Sequence, residues 1–319
     1  MNRKALILGV AGQDGTYLAE LLIAKGYRVI GAARDLGRAR AALPEPIRHQ
    51  VELVQFDLRE LQGFPELLAR RAPDEIYNLA GPSSGAGMYD APADIGLVHG
   101  LAVTQMLEAM RERAPGARFC QASSSEIFGE TTESPQSETS PLRPRSPYGA
   151  AKVYAHDMLR IVRKRYGLYA CSAILFNHES PRRKPGFVTR KVTRGAALIK
   201  LGLERELRLG NLEARRDWGF AGDTVRALWL ALQAPQADDY VIATGETHSV
   251  RELCEEAFGY LGLDYSRYVA EELADFRAAE PLTLVGNATR ARTALGWAPT
   301  VSFRELVAMM IDAEIRERT

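Results

Sequence analysis

The sequence of 319 residues contains few cysteines and no long apolar run. Its three cysteines, Cys120, Cys171 and Cys254, are too few for a disulfide framework, and no pair has the spacing of zinc ligands. Such cysteine usage is typical of a reducing compartment, so we expect a cytoplasmic protein. No apolar stretch approaches the roughly 18 residues that a membrane helix needs, which argues against a membrane partner.

The sequence also lacks an excess of either charge. Lysine and arginine total 41 and aspartate and glutamate total 40, which leaves a formal charge of +1. A nucleic-acid-binding protein neutralises phosphates with a basic face. The near balance therefore argues against a nucleic-acid partner.

Short apolar runs alternate with stretches of helical periodicity along the first half of the chain. The predicted strands are 5–8, 28–31, 51–56, 75–80 and 118–122, and the predicted helices between them are 16–25, 61–71 and 94–113. Strands that alternate with helices imply a parallel sheet covered on both faces. The predicted fold class is therefore α/β, with a Rossmann-type doubly wound parallel sheet.

The second half of the chain continues this pattern and then changes. The further predicted helices are 148–165, 188–200, 223–233, 250–261, 288–295 and 303–318, and the further strands are 170–176 and 240–244. Loops lengthen and arginines gather after residue 176. We therefore predict a dinucleotide-binding Rossmann domain over 1–176, completed by about 212–245. Residues 177–211 and 246–319 are predicted to form a smaller, mostly helical substrate-binding lobe.

Glycines follow the first predicted strand in the stretch GVAGQDG, at Gly9, Gly12 and Gly15. Glycine lets the backbone turn tightly and approach a pyrophosphate, whose charge then lies on the free N–H groups of the following helix. A glycine pattern alone is weak evidence, but a strand, these glycines and a helix in succession favour a dinucleotide site. A tight turn without a ligand is the alternative.

The end of the second predicted strand bears on the cofactor's adenosine ribose. An acidic residue at this place would hydrogen-bond a ribose 2′-hydroxyl, whereas an arginine would accept a 2′-phosphate. Arg34 comes first and Asp35 follows, so we expect NADP, with NAD as the alternative. Asp57, after the third strand, is a candidate for an adenine contact or for a helix cap.

Tyr148 and Lys152 form a Tyr-x-x-x-Lys pair, and a predicted strand leads into Ser124 and Glu126. Residues four apart on a helix share a face, so the lysine is expected to lower the pKa of the phenol. Such a tyrosine can remove a proton from a sugar hydroxyl while the carbon gives hydride to a nicotinamide. Glu126 could then act as an acid or base at a second carbon, with a helix cap or an ion pair as its alternative.

Several stretches together resemble the extended short-chain dehydrogenase/reductase superfamily and, within it, the GDP-mannose 4,6-dehydratase family. They are GVAGQDGTYLAE at the start, EIYNLAG at 75–81, QASSSEIFG at 121–129, PRSPYGAAK ending at Lys152, ILFNHESPRR from Ile174, FVTRK from Phe187, LGN followed by RRDWG at 215–219, and VIATGETHSVRE from Val241. FNHESPRR and RDWG are the most specific, because they separate this family from other nucleotide-sugar enzymes. The resemblance runs nearly from end to end.

The resemblance implies a redox-neutral reaction. Tyr148 would deprotonate the mannose 4-hydroxyl as hydride leaves C4 for NADP, and Glu126 would take the proton of C5. Ser124 and Glu126 would protonate the hydroxyl that departs from C6. Hydride returning to C6 gives a 4-keto-6-deoxy sugar, and Lys152 completes the catalytic set.

The resemblance also implies the binding residues and the partners. The expected substrate residues are Ser125, Asn177, Lys191, Arg216, Arg277 and Glu280. The expected cofactor residues are Gly9, Gly12, Gln13, Asp14, Gly15, Arg34, Asp57, Leu58 and Leu79, together with Tyr148 and Lys152. No metal is expected, because the spacing of His178 and Glu179 fits no metal motif, and His178 is expected to be packed or hydrogen-bonded. The implied partners are a small-molecule GDP-sugar and a second copy of the chain.

The sequence departs from the family pattern at four places. Ser124 replaces the usual threonine. The segment after Arg34 is abbreviated and lacks paired arginines, which leaves NAD and a tetramer open as alternatives. The loop 81–87 has an unusual sequence, in which Pro82 removes a backbone donor. His99 stands where an acidic residue or asparagine is common, and we expect it to have a packing role.

Three other functions stay open at this point. One is a 4-reductase acting on GDP-4-keto-6-deoxymannose, which shares the Ser-Ser-Glu and Tyr-x-x-x-Lys motifs. Another is a 4,6-dehydratase for a different GDP-sugar, such as a GDP-manno-heptose. The third is a catalytically silent nucleotide-binding protein, which would not need Tyr148, Lys152 and Glu126 together.

Overall fold

The computed structural model describes residues 3–82, 89–272 and 283–319. Within these ranges the strands are β1 (Lys4–Leu8), β2 (Arg28–Ala33), β3 (Val51–Gln55), β4 (Glu75–Asn78), β5 (Arg118–Ala122), β6 (Tyr169–Leu175), β7 (Asn177–Glu179), β8 (Leu207–Leu209), β9 (Arg215–Arg216), β10 (Trp218–Phe220), β11 (Asp239–Ile242), β12 (His248–Ser249) and β13 (Val269–Glu271). The α-helices are α1 (Gln13–Ala24), α2 (Leu36–Ala42), α3 (Phe64–Arg71), α4 (Pro92–Gly96), α5 (Ala102–Arg113), α6 (Pro147–Tyr166), α7 (Val188–Lys200), α8 (Ala221–Ala231), α9 (Val250–Tyr260), α10 (Thr289–Leu295) and α11 (Phe303–Arg316). A π-helical turn (Leu97–Leu101) joins α4 to α5, and short 3-10 turns lie at Glu45–Ile47, Leu61–Gly63, Ser125–Ile127 and Tyr265–Arg267.

Seven parallel strands form the central sheet, in the order β3-β2-β1-β4-β5-β6-β11. The direction of winding reverses at β1, where Leu8 lies opposite Ala32 of β2 on one side and Asn78 of β4 on the other. A reversal of this kind opens a crevice at the carboxyl ends of the strands. The predicted doubly wound α/β fold is confirmed.

Helices cover both faces of this sheet. Leu22 of α1 and Leu228 of α8 are buried against one face. Met106 of α5 and Leu159 of α6 are buried against the other. Strands covered on both faces are apolar throughout rather than alternating, which explains why the short runs in the sequence were recognisable as strands.

The start of α6 is fixed by its cap. The Ser146 hydroxyl accepts a hydrogen bond from the Gly149 amide at 3.0 Å, and Pro147 occupies the first helical position. Serine at the cap and proline at the first position are both typical of a helix start. The cap therefore places Tyr148 in the first turn and Lys152 in the second, close to the end of β5.

A second apolar core lies beyond residue 176. Val192 of α7, Phe258 of α9 and Ile311 of α11 are buried in it. Three two-stranded sheets accompany this core, and they pair β7 with β10, β9 with β12, and β8 with β13. Because their strands have only two or three residues, periodicity did not predict them.

Two helical segments differ from the sequence prediction. The stretch 94–113, predicted as one helix, consists of α4, the π-helical turn and α5. Helix α2, with its Asp35 cap, was not predicted. Among the described residues, no helix combines the length and the apolar character needed to cross a bilayer.

Candidate active site

The glycine turn lies where the sheet changes its winding direction. Gly9 has a φ of +85°, and a Cβ there would lie 2.9 Å from the backbone of Ala80, which follows β4. A Cβ on Gly15 would overlap the carbonyl oxygen of Gly9. Only glycine allows these approaches, and Gly12 then caps α1. The first N–H groups of α1 thus face the crevice, as a pyrophosphate-binding turn requires.

A cavity of about 530 Å³ lies beside the ends of β2 and β3. Arg34, Gln55 and Asp57 line it. The Asp35 carboxylate accepts a hydrogen bond from the Arg38 amide at 2.9 Å and so caps α2. The cavity therefore presents the exposed Arg34 guanidinium, whereas the Asp35 carboxylate is bonded to backbone.

The other predicted cofactor residues follow β3 and β4. Asp57 accepts a hydrogen bond from the Arg59 amide at 3.0 Å, so it also has the capping role named as its alternative. Leu58 is buried. Leu79 follows β4, and its amide donates to the Leu8 carbonyl at 3.0 Å.

Tyr148 and Ser124 meet at the carboxyl ends of β5 and β6. The Tyr148 side chain is buried beside Ile95 and Ala151, and its phenol lies near the Ser124 hydroxyl. Burial raises the pKa of Tyr148 to about 12, while the Ser124 hydroxyl and the Arg183 guanidinium act in the opposite direction. The phenol is therefore neutral in the ligand-free protein.

The expected lowering of the Tyr148 pKa beside Lys152 is wrong, because the net shift is upwards. The Lys152 ammonium donates to the Ala122 carbonyl at 2.7 Å and lies 5.5 Å from the centroid of the Tyr148 ring. Burial lowers the pKa of Lys152 to about 8. Burial thus moves the pKa of Tyr148 upwards and that of Lys152 downwards, because it disfavours both charged forms.

Glu126 and Ser125 lie in the 3-10 turn that follows β5. The Glu126 amide donates to the Ser124 hydroxyl at 3.2 Å, and the side chain of Glu126 is 16% exposed. One Glu126 oxygen lies 4.0 Å from Nε of Arg145, and the carboxylate raises the pKa of Tyr148. The carboxylate is thus within electrostatic reach of the phenol, whereas Ser125 is buried.

Apart from Ser125, the described substrate candidates lie beyond β6. Asn177 opens β7 and stands opposite Trp218 of β10, and Arg216 ends β9 just before β10. Asn177 and Arg216 are therefore on neighbouring segments. Lys191 is exposed in the first turn of α7. Arg277, Glu280 and positions 83–87 of the unusual loop lie outside the described residues.

Residues of the glycine turn hold the loop after β7, an arrangement that the sequence reasoning missed. Gln13 accepts a hydrogen bond from the Ser180 hydroxyl at 2.7 Å and donates to the His178 carbonyl at 3.1 Å. The Asp14 carboxylate lies 2.9 Å from Nε2 of His178. We call these contacts the turn–loop contact. It joins the stretch GQDG to the stretch NHES. The only hint of this contact in the sequence was that both stretches belong to the same family pattern.

The turn–loop contact confirms that His178 is hydrogen-bonded, and it sets two ionisation states. Burial lowers the pKa of His178, but the Asp14 carboxylate outweighs it and the net shift is upwards. Burial raises the pKa of Asp14, but His178 and Arg183 outweigh it and the net shift is downwards. Among the described residues, no cluster of His, Cys, Asp and Glu could hold a metal ion.

The fold and the glycine turn define an enzyme of the short-chain dehydrogenase/reductase type. A family model described as GDP-mannose 4,6 dehydratase matches residues 6–310. GDP-mannose 4,6 dehydratase 2 of Arabidopsis thaliana is 45% identical, over 98% of this chain and 86% of that protein. GDP-mannose 4,6 dehydratase of Homo sapiens is 40% identical, over 98% of this chain and 91% of that protein. The chain belongs to the GDP-mannose 4,6-dehydratase family.

Solved structures show the same fold. The UDP-glucose 4-epimerase of Thermus thermophilus, in complex with NAD, has a TM-score of 0.84 and 27% identity, over 99% of this chain and 100% of that chain. RMD from Pseudomonas aeruginosa, complexed with NADPH, has a TM-score of 0.83 and 24% identity, over 99% and 100% of the two chains. Both nicotinamide dinucleotides thus occur among the structural neighbours.

The Asp14–His178 pair predicts a pH-dependent stability. The raised pKa of His178 contributes stability below its unfolded value of 6.5 and loses it as the pH rises through the folded value. The lowered pKa of Asp14 contributes folded-state stability above its unfolded value of 3.8, and this stability is lost only as the pH falls through the folded value. Wild-type protein should therefore lose about 1.5–3 kcal/mol of unfolding free energy on the alkaline side. Asp14→Asn should abolish this loss, as measured by urea unfolding from pH 5 to pH 9.

Glu66→Gln serves as the control for that experiment. Glu66 forms an exposed ion pair with Arg70 at 2.5 Å, and exposed pairs contribute at most about 1 kcal/mol. The control should keep the alkaline loss of the wild type. Parallel stability curves for wild type and Asp14→Asn would show that the pair does not contribute.

Proposed function

We propose that this chain is a GDP-mannose 4,6-dehydratase that converts GDP-D-mannose into GDP-4-keto-6-deoxy-D-mannose with bound NADP. The observation that supports this most directly is the placement of the Tyr148 phenol near the Ser124 hydroxyl and within electrostatic reach of the Glu126 carboxylate. A simple dehydrogenase needs the phenol but not the carboxylate. Family membership and this arrangement point to the same reaction.

The residues of the crevice fit a nicotinamide dinucleotide. Gly9 and Gly15 leave a backbone cradle that any Cβ would fill, and Arg34 lines the cavity at the end of β2. When bound in its oxidised form, the nicotinamide supplies a positive charge and a hydride acceptor for C4, and it gives the hydride back at C6. Arg34 would hold a 2′-phosphate, because the Asp35 carboxylate is already bonded to the start of α2.

Tyr148 is the base for the first proton. The phenol oxygen takes the proton of the C4 hydroxyl once its own proton has been lost, and the nearby Lys152 ammonium stabilises the phenolate. The Ser124 hydroxyl lies near the phenol, where a hydrogen bond would orient it towards the sugar. C4 then becomes a ketone, which acidifies the hydrogen on C5.

Glu126 performs the elimination. Its carboxylate takes the C5 proton, the C5–H electron pair forms the C5–C6 double bond, and the C6–O bond breaks. The departing hydroxyl receives a proton from Glu126 or Ser124 and leaves as water. Hydride returned at C6 and a proton taken up at C5 from solvent complete the 4-keto-6-deoxy sugar. Release to solvent of the proton that Tyr148 took from the C4 hydroxyl balances this uptake, so that the net change is the loss of one water.

The binding of GDP-mannose completes the proposal. Asn177, Lys191, Arg216 and Ser125 hold the nucleotide sugar, with Arg277 and Glu280 added from the family resemblance. Arginine and lysine suit a diphosphate because charge-assisted hydrogen bonds are strong. Asn177, Lys191, Arg277 and Glu280 belong to the proposed substrate-binding lobe of 177–211 and 246–319. Ser125 and Arg216 reach the sugar nucleotide from the cofactor-binding Rossmann part.

Mass spectrometry of the product tests the proposed function. Purified protein incubated with GDP-mannose and NADP should release a product lighter than the substrate by one water, without added NADPH. The 4-reductase alternative requires added NADPH and a keto substrate. Turnover of a GDP-manno-heptose in preference to GDP-mannose would identify the other dehydratase activity. Tight cofactor binding without turnover of any GDP-sugar would contradict the proposal.

The separate roles of Tyr148 and Glu126 predict two distinct defects. Tyr148→Phe should lower turnover by about 100- to 10,000-fold, because general acid–base catalysis contributes about that much. Glu126→Gln should still reduce the bound cofactor on mixing with GDP-mannose but should not exchange the C5 hydrogen with heavy water. Cofactor absorbance and the deuterium content of recovered sugar measure the two steps.

A nearby carboxylate supplies the control. Glu130 is exposed four residues after Glu126, so Glu130→Gln should behave as wild type in both assays. If Glu126→Gln exchanged C5 deuterium at the wild-type rate, Glu126 would have only a capping role.

Arg34 predicts the choice of cofactor. Removal of its charge-assisted hydrogen bonds to a 2′-phosphate should weaken NADP binding about tenfold or more. The NAD affinity of Arg34→Ala should change less than about twofold, because NAD has no 2′-phosphate. Calorimetric titration with both cofactors measures this. Arg28→Ala, at the opposite end of β2, is the control, and equal losses for NADP and NAD would contradict the assignment.

We also propose a homodimer built on α6 and the π-helical turn. Leu101, Tyr154 and Ile161 are large apolar residues on these elements, and they are 45%, 44% and 52% exposed. Sedimentation should give about twice the chain mass of 35.2 kDa. Ile161→Asp should yield a monomer, whereas Leu203→Asp, at a site 64% exposed on another element, should leave the dimer intact. A wild-type monomer would contradict the proposal.

A further inference from the structure

His99 occupies an unusual position beside the catalytic tyrosine. It lies in the π-helical turn Leu97–Leu101, and its side chain is only 3% exposed. The centroid of its ring is 4.9 Å from the centroid of the Tyr148 ring, and the two planes meet at 80°. This is an edge-to-face contact, a favourable geometry for two aromatic rings.

Gly81 closes the other side of the imidazole. Gly81 has a φ of +124°, and a Cβ on it would collide with Cε1 of His99. The ring is therefore held between the backbone that follows β4 and the ring of Tyr148. Among the described residues, no hydrogen-bond partner with regular geometry meets either ring nitrogen, although the Pro82 carbonyl lies nearby. Contacts with Gly81 and Tyr148 hold the ring in place.

The imidazole is also neutral. Burial and the Lys152 ammonium lower the pKa of His99 to about 3, and the Pro82 carbonyl and the Asp94 carboxylate only partly oppose this. A carboxylate at this position would place a charge beside Lys152. The neutral ring adds an aromatic surface beside Tyr148 without adding a charge.

The π-helical turn explains how the ring reaches this place. A π-helical turn inserts an extra residue into a helix and changes the direction of the side chains that follow. The turn packs against α6, where Gly100 lies close to Tyr154 and Ala151. His99 thus packs against the Tyr148 ring together with Ile95 and Ala151.

We propose that His99 is a positioning residue. Its ring is held between Gly81 and Tyr148, and its contact with the Tyr148 ring fixes the orientation of the phenol. His99 touches neither the sugar nor the reacting atoms. Its effect on turnover rests on the proposed function, whereas its effect on the Tyr148 ring does not. A displacement of about 1 Å of a catalytic group costs about 100-fold in rate, so the effect is measurable.

Fluorine NMR tests the ring contact without any substrate. The protein is labelled with 3-fluorotyrosine, and the signal of Tyr148 among the 12 tyrosines is identified by its loss in Tyr148→Phe. In His99→Ala this signal should move and broaden, because the ring samples several orientations. In His99→Phe it should remain single and sharp, because an aromatic ring again contacts Tyr148. An unmoved, sharp signal in His99→Ala would overturn the proposal.

Kinetics tests the consequence for turnover. His99→Ala should lower kcat with GDP-mannose about 10- to 100-fold with the KM within about twofold, and His99→Phe should restore most of the rate. The isotope effect of deuterium at C4 should increase in His99→Ala, because transfer from C4 becomes slower. A reduced amount of folded protein would change neither the KM nor the isotope effect. A wild-type isotope effect in His99→Ala would overturn the proposal.

Another buried histidine supplies the matched control. His156 is 4% exposed on the same helix as Tyr148 and contacts Ser172 at 3.0 Å. His156→Ala removes a similar volume but should leave the Tyr148 signal and the kcat per folded molecule unchanged. If wild-type protein turned over no GDP-sugar, the proposed function would fail, and the fluorine signal would still decide the role of His99.

Discussion

The rest of this structure depends on the close approach of the glycine turn to the backbone after β4. This approach lies where the sheet changes its winding direction. Gly9 packs against the chain that follows β4, and Gly15 packs against Gly9. Because no side chain fits at either position, α1 begins directly at the crevice with its free N–H groups facing it. The same turn then holds the loop after β7 through Gln13 and Asp14. One constraint thus brings the glycine turn and the segment 178–180 together.

Burial determines the ionisation of Tyr148 and its neighbours. It raises the pKa of Tyr148 to about 12, lowers that of Lys152 to about 8 and lowers that of His99 to about 3. All three shifts disfavour the charged form of a buried group. In the ligand-free protein the phenol therefore keeps its proton, and the proposed reaction needs the additional positive charge that comes with the oxidised cofactor. The reactive phenolate is then expected only when the cofactor is present.

Much of the fold was predictable, because its information is local in the sequence. The strands of the central sheet are short apolar runs, and the Ser146 cap and Pro147 mark the start of α6. The placement of Tyr148 and Lys152 on one helix face followed from their spacing. These features depend on neighbouring residues, so a single sequence was sufficient to find them.

The missed features depend on distant contacts. Asp14 and His178 are 164 positions apart, so their pairing has no local signal. The predicted direction of the Tyr148 pKa shift was wrong. The spacing of Tyr148 and Lys152 predicts that the two side chains are neighbours, but not that they are buried. The contact of His99 with Tyr148 depends on the π-helical turn, for which the sequence contained no visible signal. The site roles and the division of the chain into two parts stay predictions.

The most direct measurement is a crystal structure of Tyr148→Phe with NADP and GDP-mannose bound. The central claim is that position 148 and Glu126 act on adjacent carbons of one sugar. The predicted result is a mannose whose C4 faces the edge of the substituted ring at position 148, with a Glu126 oxygen within contact distance of C5 and C6. A sugar that lies against only one of these two residues, with the other directed into a separate cavity, would contradict the claim.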